Sequence, residues 1–587
     1  MQLELKNQTI LDVLIHLSSQ TRTGARFVRR NGAAEFYSYR DILASAQAAA
    51  AGLQKRGIKP GDRVALILPT SKGFLDAFLG CQLAGAVPAA LYPPFRFGKL
   101  DEYFTRTRQM LSKIGARMLI TDARVRKLLG PVTSGVECLE SAIDVTDLDN
   151  DGGQWRMPDV RPDDAAFLQF SSGSTREPKA VIMTHRSLIA NLEMMAAAFR
   201  SIPDANPEHG GVCWLPLYHD MGLVGCMLSG VYYPATVTYI SPEDFIVQPS
   251  LWFKTISRYK GIISPAPHFA YRLCYAKVRD EEMEGVDLSS WRLAINGAEP
   301  IEIEGMRLFQ DRFSKWGFRP QAMTPVYGLA EAGLAVTFSD LGAPPLITEF
   351  DRELLATRNQ AAPGPGRALP SVGKRLPGLD VQIWDDNNQA VAENLVGKIV
   401  VRGASITPGF FNDPELTNAA IKDGWLDTGD LGFFHQENLY IAGRAKDLII
   451  IRGRNYAPQE IEDLLFDLSG LRTGCAVAVS AAAGAEGEQL IILAEKDLRV
   501  PMSETDLAAA ISERILGGLS LRPYLVQILE PGTLPRTSSG KFRRADALRM
   551  FLAGELVPPE KVNALKLFVE LGKSQIAWGR FRLRKDS

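Results

Sequence analysis

At 587 residues the chain is too long for one hydrophobic core and long enough for two to four domains. Its 66 Lys+Arg against 67 Asp+Glu leave a formal net charge of -1, which gives no electrostatic reason to expect nucleic acid or an anionic membrane as the main partner. A content of 46% hydrophobic and 23% charged residues excludes a disordered or fibrous chain.

The start, MQLELKNQTILDVLIHL, lacks the basic-then-apolar order of a secretory signal, and no uninterrupted run of 18 apolar residues marks a transmembrane segment. Cys81, Cys138, Cys213, Cys226, Cys274 and Cys475 form no C-x-x-C pair and mostly sit in apolar stretches, as buried thiols in a reducing compartment do. Together these features predict a cytoplasmic protein.

Strand-like runs then alternate with amphipathic stretches. RVALILP (Arg63–Pro69), RMLIT (Arg117–Thr121), AAFLQF (Ala165–Phe170) and GKIVVRG (Gly397–Gly403) read as strands, and Tyr39–Arg56 and His185–Phe199 as helices. That alternation predicts an α/β fold with largely parallel sheets. Leu341–Pro370 reads as irregular, with one short helical segment, EFDRELLATRN. Past Tyr440 the texture changes: a strand at Leu439–Ala442, the apolar LIII (Leu448–Ile451), a helix from about Pro458, strands at 475–479 and 490–495, and a helix around Ser503–Leu516. This predicts a separate small domain with its boundary near Asp447. The basic terminus beyond Met550, ending GRFRLRKDS, reads as a frayed, solvated tail.

FLQFSSGSTREPKAVIMTH (Phe167–His185) carries the most chemistry. An apolar strand runs into Ser171, Ser172, Gly173, Ser174 and Thr175, then Lys179, then a second apolar strand. Backbone N–H groups and hydroxyls in such a loop can cradle a polyphosphate, with Lys179 as counter-charge. A P-loop is excluded, because Pro178 precedes Lys179 and Ala180-Val181 follow it. Taken alone, a Ser/Gly-rich surface turn is the plainer reading.

Six further segments follow in order: WLPLYHDMGLVG (Trp214–Gly225), NGAEP (Asn296–Pro300), VYGLAEA (Val326–Ala332), WLDTGDLG (Trp425–Gly432), IAGRAKDLIIIRGRNYAPQEIE (Ile441–Glu462) and LPRTSSGKFRR (Leu534–Arg544). With the loop, this series resembles the acyl-adenylate-forming superfamily across most of residues 30–545. The resemblance implies a large N-terminal AMP-binding domain (1–446) and a small, mobile α+β C-terminal domain (447–587), with ATP and Mg2+ used to activate a carboxylic acid. It implies phosphate contacts from Ser171–Thr175 and Lys179, and nucleotide contacts from Asn296, Gly297, Ala298, Glu299, Tyr327 and Gly328. Asp430 would take both ribose hydroxyls, which a carboxylate can do with its two oxygens. Arg444 would hold ribose or phosphate, and Asp447 would be the hinge. Glu331 would ligand Mg2+ as a hard oxygen donor. His219, Asp220 and Met221 would line the carboxylate channel, with Phe269 and Ala270 along an acyl tunnel. Lys541 would stabilise the charge that builds as the carboxylate attacks the α-phosphate. The sequence departs from the family pattern at Ala180, usually Gly, and Ala330, usually Thr.

HDMGL, YGLAE, LYPP (Leu91–Pro94), GRNYAPQEIE and SPAPHFAYRLC (Ser264–Cys274) look like the fatty acyl-AMP ligase branch, which passes a fatty acid to the phosphopantetheine of an acyl carrier protein. That branch carries an insertion at the domain junction, and 341–370 stands where it would fall. A medium- or long-chain acyl-CoA ligase is the alternative. A nonribosomal peptide synthetase adenylation domain and a silent binding module are weaker ones.

Overall fold

Runs of consecutive apolar residues become strands buried on both faces, the condition under which parallel sheets form. In the computed structural model, which describes residues 8–94, 100–148, 153–171, 177–202, 206–482, 488–537, 540–559 and 564–586, they build two large sheets. The six-stranded sheet has the order Ser141–Asp144, Met118–Thr121, Arg63–Ile67, Val87–Ala90, Ala165–Phe170, Ala180–Thr184, and every pairing but the last is parallel. The nine-stranded sheet runs Lys374–Arg375, Ala335–Phe338, Met323–Gly328, Leu293–Gly297, Ile263–Pro267, Gly211–Cys213, Val237–Ile240, Gly24–Val28, Ala34–Ser38. Its interior pairings are parallel and its outer ones antiparallel.

Two helices join the sheets. Tyr39–Lys55 starts at a reciprocal cap, in which the Ser38 hydroxyl accepts from Asp41 N–H and the Asp41 carboxylate accepts from Ser38 N–H. It packs on Gly24–Val28 and on helix Lys72–Leu83, which in turn covers Arg63–Ile67 and Val87–Ala90. Leu43, Leu53, Phe74 and Phe78 thereby share one core with strand residues of both sheets.

GKIVVRG forms the predicted strand, but in a five-stranded antiparallel sheet with Leu379–Trp384, Trp425–His435, Ile421–Lys422 and Asn438–Arg444. Beyond it lie a hairpin (Ile449–Ile451 with Arg454–Tyr456) and a three-stranded sheet of Leu471–Ala482, Glu488–Lys496 and Leu525–Leu529. Helix Glu504–Leu519 buries Leu507, Ile511, Ile515 and Leu519, a four-residue repeat on one face, in a core with Ala478 and Ile492. The result is a mixed α/β fold with a strand-rich C-terminal unit.

Two expectations are corrected. Leu341–Pro370 is not irregular: Ile347–Asp351 pairs antiparallel with Gly366–Pro370, and helix Arg352–Arg358 lies between them. Phe350, Leu355 and Leu369 pack on Phe433 and Tyr440, with the Phe350 ring edge-on to both. Those partners are about eighty residues downstream, so local pattern does not reveal them. The terminus is not a frayed tail either. Helix Ala564–Asp586 docks through Ser574, Trp578 and Phe581 against residues 126–136. All six cysteines are thiols and all but Cys138 are buried. No described helix is long and apolar enough to cross a membrane.

Candidate active site

In open α/β sheets ligands bind beyond the carboxyl ends of the parallel strands. Here that edge opens into a cleft of about 2200 Å3. Strand Gly211–Cys213 leads to His219 and Asp220, Ile263–Pro267 to Phe269, Leu293–Gly297 to Ala298 and Glu299, and Met323–Gly328 to Glu331, all lining it. The six-stranded sheet contributes Ser171 and Lys179, whose main chains close the loop between them by a 3.0 Å bond from Ser171 N–H to the Lys179 carbonyl. Ser172, Gly173, Ser174 and Thr175 lie outside the described residues. From the five-stranded sheet come Asp430 and Arg444, and from the C-terminal unit comes Lys541. Met221, Tyr327, Gly328 and Asp447 also line the cleft.

Three of the sequence candidates face elsewhere. Asn296 is fully buried, and its amide donates to His268 Nδ1 at 3.2 Å. Gly297 is buried against Val326, and Ala270 is a core residue. The chain re-emerges at Ala298, whose φ of 67° is left-handed and costs a non-glycine residue about 1–2 kcal/mol. This kink turns the next side chain, Glu299, so that its Oε1 accepts from Phe269 N–H at 2.5 Å.

The charges in the cleft are mutually dependent. Burial works against ionisation of Asp220, but His219, whose Nδ1 is 2.6 Å from Asp220 Oδ1, together with Lys541 holds that carboxyl below its usual range. Burial raises Glu331, helped by Asp220 and opposed by Lys179 and Arg444. Glu299 is raised by burial too, with the Phe269 N–H and Lys541 opposing. Lys541 is pushed down by burial and Arg444, while Glu299, Asp220 and Asp430 pull it back up. Lys179 is lowered by burial and by Lys446.

Asp430 is buried with both carboxylate oxygens engaged. Oδ2 accepts from the Tyr327 hydroxyl at 2.8 Å and Oδ1 from Arg444 Nε at 3.1 Å. Burial and the adjacent Asp430 raise the Tyr327 phenol well above its ordinary value, so it stays a donor. The cleft continues past Trp214 and Phe269 to Phe199, Gly225 and Pro265, which it shares with an apolar cavity of about 80 Å3 bounded by Cys226, Tyr233 and Ile262.

A family model described as AMP-binding enzyme matches residues 18–411. The chain belongs to that family. This AMP-binding enzyme is 34% identical over 508 residues to a putative acyl-CoA synthetase of Caulobacter vibrioides, covering 85% of this chain and 87% of that one. It is 31% identical over 577 residues to the medium-chain-fatty-acid–[acyl-carrier-protein] ligase JamA of Moorena producens, covering 93% and 96%. A solved structure from a study of fatty acyl-adenylate ligases of E. coli and L. pneumophila superposes with a TM-score of 0.87 at 35% identity, covering 94% and 98%.

Several cleft residues of this AMP-binding enzyme were not singled out by sequence. Lys446 and Arg536 both line the cleft and stand within quoted segments, GRAKD and LPRTSSGK, where their basic charge was a usable signal. Arg272 had no local signal. Its guanidinium lies over the Phe466 ring, 3.8 Å from Glu302 and 3.6 Å from Asp463, bridging the large and C-terminal units.

Proposed function

We propose that the protein activates a fatty acid with ATP as its acyl-AMP, releasing pyrophosphate, and passes the acyl group to the phosphopantetheine thiol of an acyl carrier protein. The observation that carries the reading is that Lys541, borne on the C-terminal unit, lies in one cleft with Asp220, Glu331, Asp430 and Lys179. A carboxylate oxygen of the acid attacks the α-phosphorus, and the bond to the pyrophosphate oxygen breaks. Lys541 meets the negative charge that grows on the α-phosphate oxygens, where a fixed cation in a water-poor site is worth most. Ser171, Lys179 and the intervening loop hold the leaving phosphates, Asp430 and Arg444 hold the ribose, and Asp447 is the hinge of the small unit. Glu331, a hard oxygen donor lining the cleft, suits Mg2+ shared between one carboxylate and the substrate phosphates. Such an ion neutralises phosphate charge when bound.

An aliphatic chain would run past Phe269 toward the apolar cavity beyond Gly225, gaining about 0.8 kcal/mol for each methylene it buries. The carrier rather than coenzyme A is favoured by the 341–370 segment. Arg352 and Arg367 both pair with Glu460 at 3.6 Å, Glu353 pairs with Arg454 at 3.0 Å, and Asn359 accepts from Asn455 at 3.1 Å. These contacts brace the small unit where the cleft would have to open for a different second step. The name of the Caulobacter relative favours the second reading, an acyl-CoA ligase.

Acid-dependent exchange of labelled pyrophosphate into ATP, measured over acids from C4 to C18, tests the first step; no exchange with any acid would reject both readings. Transfer from the resulting adenylate to a phosphopantetheinylated carrier and to coenzyme A then separates them, efficient coenzyme A thioester formation selecting the second.

A dependence on protonated Lys541 also sets a pH limb. With that ammonium depressed by burial, exchange activity falls on the alkaline side at a pH below the ordinary lysine value. Glu299 raises Lys541, so Glu299→Gln removes an anion and moves the limb to lower pH. A limb that stays put, or moves up, would dissociate the two groups.

A further inference from the structure

The C-terminal helix Ala564–Asp586 is seated on the large unit. Ser574, fully buried, accepts from Gly130 N–H at 2.9 Å. Trp578 Nε1 donates to the Arg126 carbonyl at 3.0 Å, and the Arg126 guanidinium lies over its ring at 5.2 Å. Phe581 is 5% exposed within the core of Leu111, Leu129 and Val132. The spacing 574, 578, 581 sets the three on one helical face. The seat is cut for close approach: a Cβ on Gly130 would run into the Ser574 main chain.

The small unit is therefore joined to the large one twice. One join is the chain through Asp447. The other is residues 553–563, between helix Arg544–Leu552 and the docked helix, which reach at most about 40 Å when fully extended. The two ends also touch near the reactive lysine. Arg543, two residues from Lys541, donates to Glu102 at 3.1 Å. Glu102 lies on helix Leu100–Ile114, which packs against the Gly130–Thr133 turn that seats the terminal helix.

We propose that helix Ala564–Asp586 is a strap that limits how far the small unit can turn about Asp447, keeping Lys541 at the cleft. A turn that carries Arg544–Leu552 farther from the seat than residues 553–563 can follow must pull Trp578 and Phe581 out of it. The strap is a property of the two-unit geometry and does not depend on which acid is used.

Two nitroxide labels, at Asp311→Cys on the large unit and Glu513→Cys on the small one in a Cys138→Ser background, report the separation of the units by pulsed electron resonance. Both label sites are exposed, and the remaining native cysteines are buried. Two variants release the strap from opposite sides: Gly130→Ala on the seat, and Trp578→Ala with Phe581→Ala on the helix. The parent is expected to give one narrow distance. Each variant is expected to add a second population and to raise acyl transfer to coenzyme A at least fivefold, with pyrophosphate exchange within about twofold. Amide exchange across 571–583 reads undocking directly, and a melting curve removes any variant that does not fold. An unchanged distance distribution with the helix undocked would overturn the strap. Retained protection of 571–583 in both variants would overturn the seat.

Discussion

Lys541→Ala is expected to slow adenylate formation by about a hundred- to a thousandfold, the usual cost of removing one preorganised donor from a site of developing charge. The expectation follows from where the side chain sits. It reaches the cleft from the C-terminal unit, and burial and Arg444 depress its ammonium while Glu299, Asp220 and Asp430 support it. A group held between those influences interacts strongly with any new anion, and the α-phosphate oxygens are that anion in the transition state. In transfer from separately prepared acyl-AMP to a thiol, the sulfur attacks the acyl carbon and AMP departs with the bonding pair on its bridging oxygen; no pentacoordinate phosphorus forms, so that step should lose less than the first. Stopped-flow pyrophosphate release measures the first step and thioester formation from the adenylate the second. Equal losses in both would assign Lys541 a structural role instead.

Asp430→Ala should raise the KM for ATP by about ten- to a hundredfold, since hydrogen bonds to charged groups contribute about 1.5–3 kcal/mol each. Tyr327→Phe is the informative companion. The phenol donates to Asp430 Oδ2 at 2.8 Å, so its loss leaves the carboxylate in place but free to rotate. An effect about a tenth as large is expected, without a change in the acid KM. If the two variants were equal, the Tyr327 hydroxyl would itself contact the nucleotide, since the ring face is unchanged in Phe.

Strands buried on both faces were legible as near-continuous apolar runs: Arg63–Ile67 and Ala165–Phe170, the latter broken by Gln169, stand where those runs predict. The helices Tyr39–Lys55 and His185–Phe199 were legible from their amphipathic pattern, and in the structure Ser38 and Thr184 cap them. The 341–370 segment was not legible, since Phe350 becomes a core residue only through Phe433 and Tyr440. In the terminal helix, a run of Lys and Arg masks a docking face that carries Ser574, Trp578 and Phe581. Within the site, the motif order brought Lys179, Asp220, Glu331, Asp430 and Lys541 to one cleft. It could not say which way each side chain turns. Asn296 and Ala270 belong to the right segments and face the core, while Arg272 stands at the unit boundary with only distant partners.

Arg444 ends the strand that leads, three residues later, into Asp447, and its guanidinium is bonded to the carboxylate proposed for the ribose. A nucleoside that draws on Asp430 therefore competes with the last tie before the hinge we propose at Asp447. Whatever free energy its binding shifts there must return as an equal shift in how tightly ATP is held when the small unit moves. On that proposal, nucleotide affinity and domain position are two measurements of one coupling constant, and a titration of either will report the other.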